Sequence, residues 1–111
     1  TPVANVTLIE KVPNAPTLLM GSGGNATVAL TWRASSWDGG GIDPITAYTI
    51  QYSVDSGTTW ATVVATTGST NPAYTVPSLS NGSSYQFRVA AINAEGTGAY
   101  SSSSQKVIPS A

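Results

Sequence analysis

The chain has 111 residues, of which 41% are hydrophobic and only 8% are charged, and its formal net charge is −1. This length suits one domain with a buried core and is too short for two ordinary domains. With no histidine, no cysteine and four basic residues, the composition excludes most metal sites, thiol chemistry and the basic surface of nucleic-acid-binding proteins. No apolar run reaches the roughly 20 residues of a membrane span, so membrane insertion is not expected.

Breaks at glycine, proline and asparagine divide the rest of the chain into short segments that alternate apolar and polar residues, a pattern typical of strands. Threonine favours strands and serine favours turns, and the chain is rich in both. Alternation is clearest in the second, third and sixth of seven predicted strands. In chain order these are residues 16–20, 27–33, 48–54, 59–65, 73–76, 85–91 and 99–107. The even spread of strands predicts two packed antiparallel sheets, with the two chain ends at opposite poles.

Several short patterns occur in an order and spacing similar to the fibronectin type III domain family over residues 13–108. They are Pro13-Asn-Ala-Pro16, Trp32 at the end of the second strand, Gly39 to Tyr48, Leu79 six residues before Tyr85, and Asn93 to Gly98 ahead of Ser101. The resemblance implies an all-β fold, a seven-stranded antiparallel β-sandwich of immunoglobulin-like topology. It also implies structural roles for Tyr48 and Leu79, a core position for Trp32, and a tyrosine corner in which the Tyr85 hydroxyl bonds the backbone near residues 79–82.

The segment Ser53-Val-Asp55-Ser-Gly57-Thr-Thr59-Trp60 resembles the Asp box of sialidase-like propellers. In those proteins the aspartate accepts backbone N–H bonds, the glycine permits a positive φ, and the tryptophan packs beneath the turn. We interpret the segment as structural, because a sialidase site needs several arginines and this chain has two.

The candidate ligand contact is Trp37 with its neighbour Asp38, in the loop before the third strand, where the family often has small residues or proline. An exposed indole there could stack on a sugar ring or on a partner protein. The alternative, which we favour, is that Trp37 folds back over the end of the core. Asp38 and Asp43 flank three glycines, but calcium needs six to eight oxygen ligands, so no metal is expected.

Catalysis is not expected, because without histidine the only side chains left to activate a serine are Lys11 and Lys106. The sequence offers no site for a cofactor. The phrases around Pro13 and Pro109 are nearly the same, which suggests that a further copy begins where this one ends. We therefore predict a linker or the tail of a preceding module in residues 1–12, a domain in residues 13–108, and the start of a junction to a following module in residues 109–111.

The predicted function is a non-catalytic spacer or adhesion module, one of a tandem array in a secreted or surface-displayed protein. By resemblance, that protein is bacterial or belongs to a phage virion. Its expected partners are neighbouring modules of the same polypeptide and a surface protein or polysaccharide. The alternative is an accessory carbohydrate-binding module of a polysaccharide-degrading enzyme, with Trp37 as its stacking platform.

Overall fold

The structure, a computed structural model, describes residues 13–34, 45–94 and 96–111. Within these residues the chain forms seven strands. They are β1 (Thr17–Gly24), β2 (Thr27–Arg33), β3 (Ala47–Ser53), β4 (Ala61–Val64), β5 (Ala73–Val76), β6 (Gln86–Asn93) and β7 (Gly96–Tyr100). None of the described residues form a helix that is long and apolar enough to cross a membrane.

The strands form two antiparallel sheets that pack face to face. One sheet has three strands in the order β1-β2-β5, and the other has four in the order β4-β3-β6-β7. The predicted all-β sandwich is therefore confirmed.

The core lies between the sheets and is built from alternate residues of the central strands. In β2 the pattern is regular, since Val28, Leu30 and Trp32 are buried and the residues between them are exposed. The register pairs Ile50 of β3 with Val89 of β6, which fixes the inward face of the larger sheet. The buried core cluster consists of Val28, Leu30, Trp32, Tyr48, Ile50, Val76, Tyr85, Phe87, Val89 and Ala91.

The predicted last strand, 99–107, is wrong in its extent. Strand β7 ends at Tyr100, and Val107 forms only an isolated bridge with Tyr85. Between them two buried serines take over the pairing: the Ser101 hydroxyl accepts the Val89 N–H at 3.1 Å, and the Ser104 hydroxyl accepts the Phe87 N–H at 3.0 Å. Because the serine hydroxyls accept these two N–H groups, no backbone carbonyl pairs with them, and the regular hydrogen-bond ladder of β6 and β7 ends.

Other strand boundaries also differ from those predicted. Strand β1 continues to Gly24 rather than ending at residue 20, and β4 is limited to Ala61–Val64. Val54 falls within the predicted third strand, 48–54, but β3 ends at Ser53 and Val54 is 62% exposed. The turn that starts at Ser53 carries Val54 away from the core.

We expect Trp32→Ala to destabilise the domain by about 3–5 kcal/mol, because it removes a large side chain from a closely packed core. Trp32 is 6% exposed, and its ring centroid lies 5.1 Å from that of Tyr48 in an edge-on arrangement. Urea denaturation followed by circular dichroism measures the free energy of unfolding. Val54→Ala is the matched control and should change this free energy by less than about 0.5 kcal/mol, since surface substitutions have small effects. A Trp32→Ala midpoint equal to that of the control would contradict the core assignment.

Candidate functional site

The described residues contain no group of three or more histidine, cysteine, aspartate or glutamate side chains that could hold a metal ion. The predicted ligand contacts Trp37 and Asp38, together with Asp43, lie outside the described residues. Four regions of the described residues therefore remain as candidates. They are the turn at residues 53–60, the surroundings of Tyr85, the outer face of the four-stranded sheet, and the pole at which residue 111 lies.

The turn between β3 and β4 is organised around the Asp55 carboxylate. The Ser53 hydroxyl donates to Asp55 Oδ1 at 2.6 Å, the Thr59 N–H donates to the same oxygen at 2.9 Å, and the Thr59 hydroxyl donates to Oδ2 at 2.6 Å. Ser53 Oγ in turn accepts the Gly57 N–H at 2.8 Å. Gly57 has a φ of 88°, which glycine adopts without strain.

These donors also stabilise the charged form of the carboxylate. The Ser53 hydroxyl, followed by the Thr59 hydroxyl and N–H, lowers the pKa of Asp55 from 3.8 to about 2. Asp55 is exposed, yet both of its oxygens are engaged within the turn. The arrangement is that of a structural cap on a tight turn and not of a general acid or base, which needs a pKa near the working pH.

The Tyr85 side chain joins the β5–β6 connection to the core. Its ring is 6% exposed, and its hydroxyl accepts the Ser80 N–H at 2.9 Å. Leu79 packs partly buried against the same core, and its N–H donates to Ala26 O at 2.9 Å. The hydroxyl thus bonds the backbone within the 79–82 stretch.

Tyr48 and Trp32 meet at the other end of the core. Burial raises the pKa of the Tyr48 hydroxyl, and the neighbouring Trp32 side chain opposes this rise. Among the described residues, however, the buried Trp32 Nε1 meets no acceptor with hydrogen-bond geometry. The contact between the two rings is consequently one of packing, supplemented by weak electrostatics.

The outer face of the four-stranded sheet carries a cluster that sequence reasoning missed. The Arg88 guanidinium carbon lies 4.4 Å from the Trp60 ring centroid and 4.3 Å from that of Tyr100. Gln51, opposite Arg88 in the register, accepts its Nε–H at 2.8 Å and an Nη2–H at 2.6 Å through Oε1. We call these four residues the Arg88 cluster. Trp60 was expected to pack beneath its turn, and it does lie beside Gly57, but its ring also covers the guanidinium.

The C-terminal segment, residues 105–111, is hydrogen-bonded to the pole at which β1 turns into β2. The Gly82 N–H donates to Pro109 O at 2.9 Å, and the Ser110 N–H donates to Gly24 O at 3.1 Å. Pro109 is fully buried. A side chain at Gly23 would meet Ile108 O at 2.7 Å, so this close approach requires glycine.

Two loops complete the same pole. Asn81 Oδ1 accepts the Ala26 N–H at 2.7 Å, and Asn81 Nδ2 donates to Asn25 Oδ1 at 3.0 Å. The β1–β2 turn, the 79–83 turn and the last residues thus form one bonded unit.

A cavity of about 460 Å³ lies between β1 and the C-terminal segment. Its lining includes Met20 and Ile108, which are 63% and 55% exposed. Its lining is mixed, with Gln105 and Lys106 beside the apolar side chains, and it presents no convergent catalytic groups.

Comparison with known families matches the fibronectin type III domain over residues 14–107. Among solved structures, a titin fragment of several domains is 30% identical, with 92% of this chain and 34% of that fragment aligned at a TM-score of 0.79. The FN1-FN3 domains of chicken CNTN1 are 25% identical, with 90% and 33% aligned at a TM-score of 0.76. An Fn3-like protein from Clostridium thermocellum is 23% identical, with 91% and 97% aligned at a TM-score of 0.71, and shows likeness of fold alone.

This chain spans about one third of the titin and CNTN1 fragments that it matches. In both of them the matching domain is one module of a multidomain chain.

The Asp55 turn should make stability depend on pH in acid. Because the folded-state pKa is lowered, the stabilisation is present in full above the unfolded value near 3.8 and is lost as the pH falls toward about 2. We expect an NMR titration of the Asp55 carboxyl carbon to give a midpoint near pH 2, and Asp55→Asn to abolish the loss of stability over this interval. Thr59→Val, which removes one donor, should shift the midpoint upward. A midpoint near 3.8 in the unaltered protein would contradict the network.

We expect Tyr85→Phe to lower the free energy of unfolding by about 1–2 kcal/mol, because it deletes one buried hydroxyl and leaves the Ser80 N–H without its acceptor. Thermal and urea denaturation measure the change. Tyr74→Phe offers a control in a partly buried tyrosine that packs against the core and should have a smaller effect. Equal stability of Tyr85→Phe and the unaltered protein would show that this hydrogen bond contributes nothing.

Proposed function

Because the chain belongs to the fibronectin type III domain family, we propose that it is a non-catalytic spacer and adhesion module. In this proposal it is one of a tandem array in a secreted or surface-displayed protein of bacterial or phage origin. Its partners are the neighbouring modules of the same polypeptide and, for adhesion, a surface molecule. Residues 1–12 would belong to the preceding segment, residues 13–108 to the module, and residues 109–111 to the junction.

The observation that carries the spacer role is the placement of the two ends of the described domain. At one end, the Pro13 carbonyl packs so closely on Gly98 of β7 that any side chain there would collide with it. At the other, Pro109 is buried against the Gly82 and Gly24 region. Because Gly82 just ahead of β6 bonds Pro109, and Gly24 bonds the next residue Ser110, the β1–β2 turn lies at the pole where β6 begins. Gly98 lies close to the β6–β7 turn, at the pole where β6 ends.

The repeated phrase at the two ends supports the tandem arrangement. Pro13 and Pro109 occupy corresponding places in Lys11-Val-Pro13 and Lys106-Val-Ile-Pro109, and both prolines are fully buried. If a following copy begins at Pro109, one proline lies against two modules at once. Such a junction leaves little free chain, and proline restricts it further.

The surface chemistry supports a non-catalytic role. The chain lacks histidine and cysteine, and Asp55, the one acidic residue that the structure describes, is bonded within its own turn. We also propose that residues 53–60, which resemble an Asp box, have a structural role in their turn. The alternative role in carbohydrate binding was based on Trp37, so no described residue favours it over the spacer.

Tandem copies should lengthen the particle nearly linearly. An eight-residue strand such as β1, rising about 3.4 Å per residue, with a turn at each pole, gives a module roughly 35 Å long. Small-angle scattering on one, two and three copies, joined through residues 109–111, should therefore show the maximum dimension rising by about that amount per copy.

A six-residue glycine–serine insertion after Ala111 is the matched control, because it keeps the modules and removes the stiff junction. Its three-copy particle should show a broader distance distribution. A three-copy particle with the natural junction that is no longer than the two-copy one, or no stiffer than the control, would overturn the spacer proposal.

A further inference from the structure

The Arg88 cluster contains a fixed positive charge that has no acidic partner among the described residues. Asp55, the one acidic residue in residues 13–34, 45–94 and 96–111, is occupied by Ser53 and Thr59. Arg88 instead bonds the neutral Gln51 amide. Its charge is therefore screened by rings and an amide, and is not neutralised by them.

The Gln51 bonds use only part of the guanidinium. Arginine has five N–H donors, and Gln51 Oε1 takes the Nε–H and one Nη2–H of Arg88. This leaves both Nη1–H groups and the second Nη2–H, of which one Nη1–H and the Nη2–H lie parallel at the end of the guanidinium that points away from Nε. Two parallel donors of this kind match the two oxygens of a carboxylate.

The two rings fix this fork in place and favour an anion beside it. Trp60 and Tyr100 lie at 4.4 and 4.3 Å from the guanidinium carbon and restrict its motion, so less side-chain entropy is lost on binding. The edge of an aromatic ring carries positive potential. The Trp60 Nε1–H and the Tyr100 hydroxyl add two more donor groups to the cluster. The cluster is consequently rich in donors and poor in acceptors.

We propose that the outer face of the four-stranded sheet docks a protein partner through an acidic side chain, whose carboxylate Arg88 binds bidentately between Trp60 and Tyr100. A protein is favoured because tryptophan, tyrosine and arginine are the residues that dominate binding energy in protein interfaces. The neighbouring positions Thr49 and Ala90 are small, uncharged and already buried within the domain, so they bring no competing charge to the cluster. This site does not depend on the spacer role.

The test uses the full chain, labelled with nitrogen-15, and three probes. The first is an acetylated and amidated hexapeptide of alternating valine and glutamate, the second is the same peptide with glutamine for glutamate, and the third is a glucuronic acid oligomer of equal charge. NMR titration follows the Arg88 Nε–H and Trp60 indole N–H signals. We expect saturable shifts with the glutamate peptide and at least tenfold weaker binding of the other two.

Three variants separate the site from general charge effects. Gln51→Glu should weaken binding of the glutamate peptide at least tenfold, because the new carboxylate would take the place of the Gln51 amide beside Arg88 and neutralise the charge that attracts the peptide carboxylate. Arg88→Gln should do the same, with signal dispersion reporting whether it folds. Arg33→Gln, an exposed arginine on the other sheet, should change the affinity less than twofold.

The proposal is overturned if the glutamate peptide leaves both signals unmoved, or if Gln51→Glu binds as the unaltered chain does. It is also overturned, with respect to the partner class, if the glucuronic acid oligomer binds as tightly as the glutamate peptide.

Discussion

The hydrogen-bond requirement of β6 determines how the last part of the chain is arranged. This strand lies between β3 and β7, with its inner face buried and its outer face half-buried, so its backbone groups need partners along both edges. Strand β3 pairs with it from Ala47 to Ser53. On the other edge β7 reaches only Ala90, after which Ser101, Ser104 and Val107 bond Val89, Phe87 and Tyr85 in turn. Residues 101–107 thus continue the hydrogen bonding along this edge of β6 without forming a regular strand.

The sequence alone was sufficient for the fold because strand alternation and turn residues are local signals. It was not sufficient for features that depend on register. Within the run of four serines, nothing local distinguishes Ser101 and Ser104, which are buried, from Ser102 and Ser103, which are exposed. Likewise, the contact of Arg88 with Trp60 and Tyr100 requires knowing how β6 is aligned with β7 and with the end of the turn that precedes β4. Both sets could have been found only by aligning the strands against one another.

The charged side chains of Asp55 and Arg88 differ in how far they are available to a binding partner. Asp55 is held in its turn by Ser53 and Thr59, whereas Arg88 keeps unused donors and has no acidic partner among the residues that the structure describes. A chain with few charged side chains has little long-range electrostatic steering, and any specificity must come from contacts at close range. A single arginine fixed between two rings meets that condition, because it recognises a carboxylate by geometry as well as by charge.

The fastening of the C-terminal segment has a mechanical consequence. Val107 exchanges two backbone hydrogen bonds with Tyr85, Pro109 accepts one from Gly82, and Ser110 donates one to Gly24. Tyr85 and Gly82 lead into the four-stranded sheet, while Gly24 ends a strand of the three-stranded one. Tension applied at Ala111 is therefore divided between both sheets, and several bonds must break together before either sheet is pulled away from the other. In the proposed spacer role, the load at which these bonds break would set the tension that the domain bears at this end while still folded.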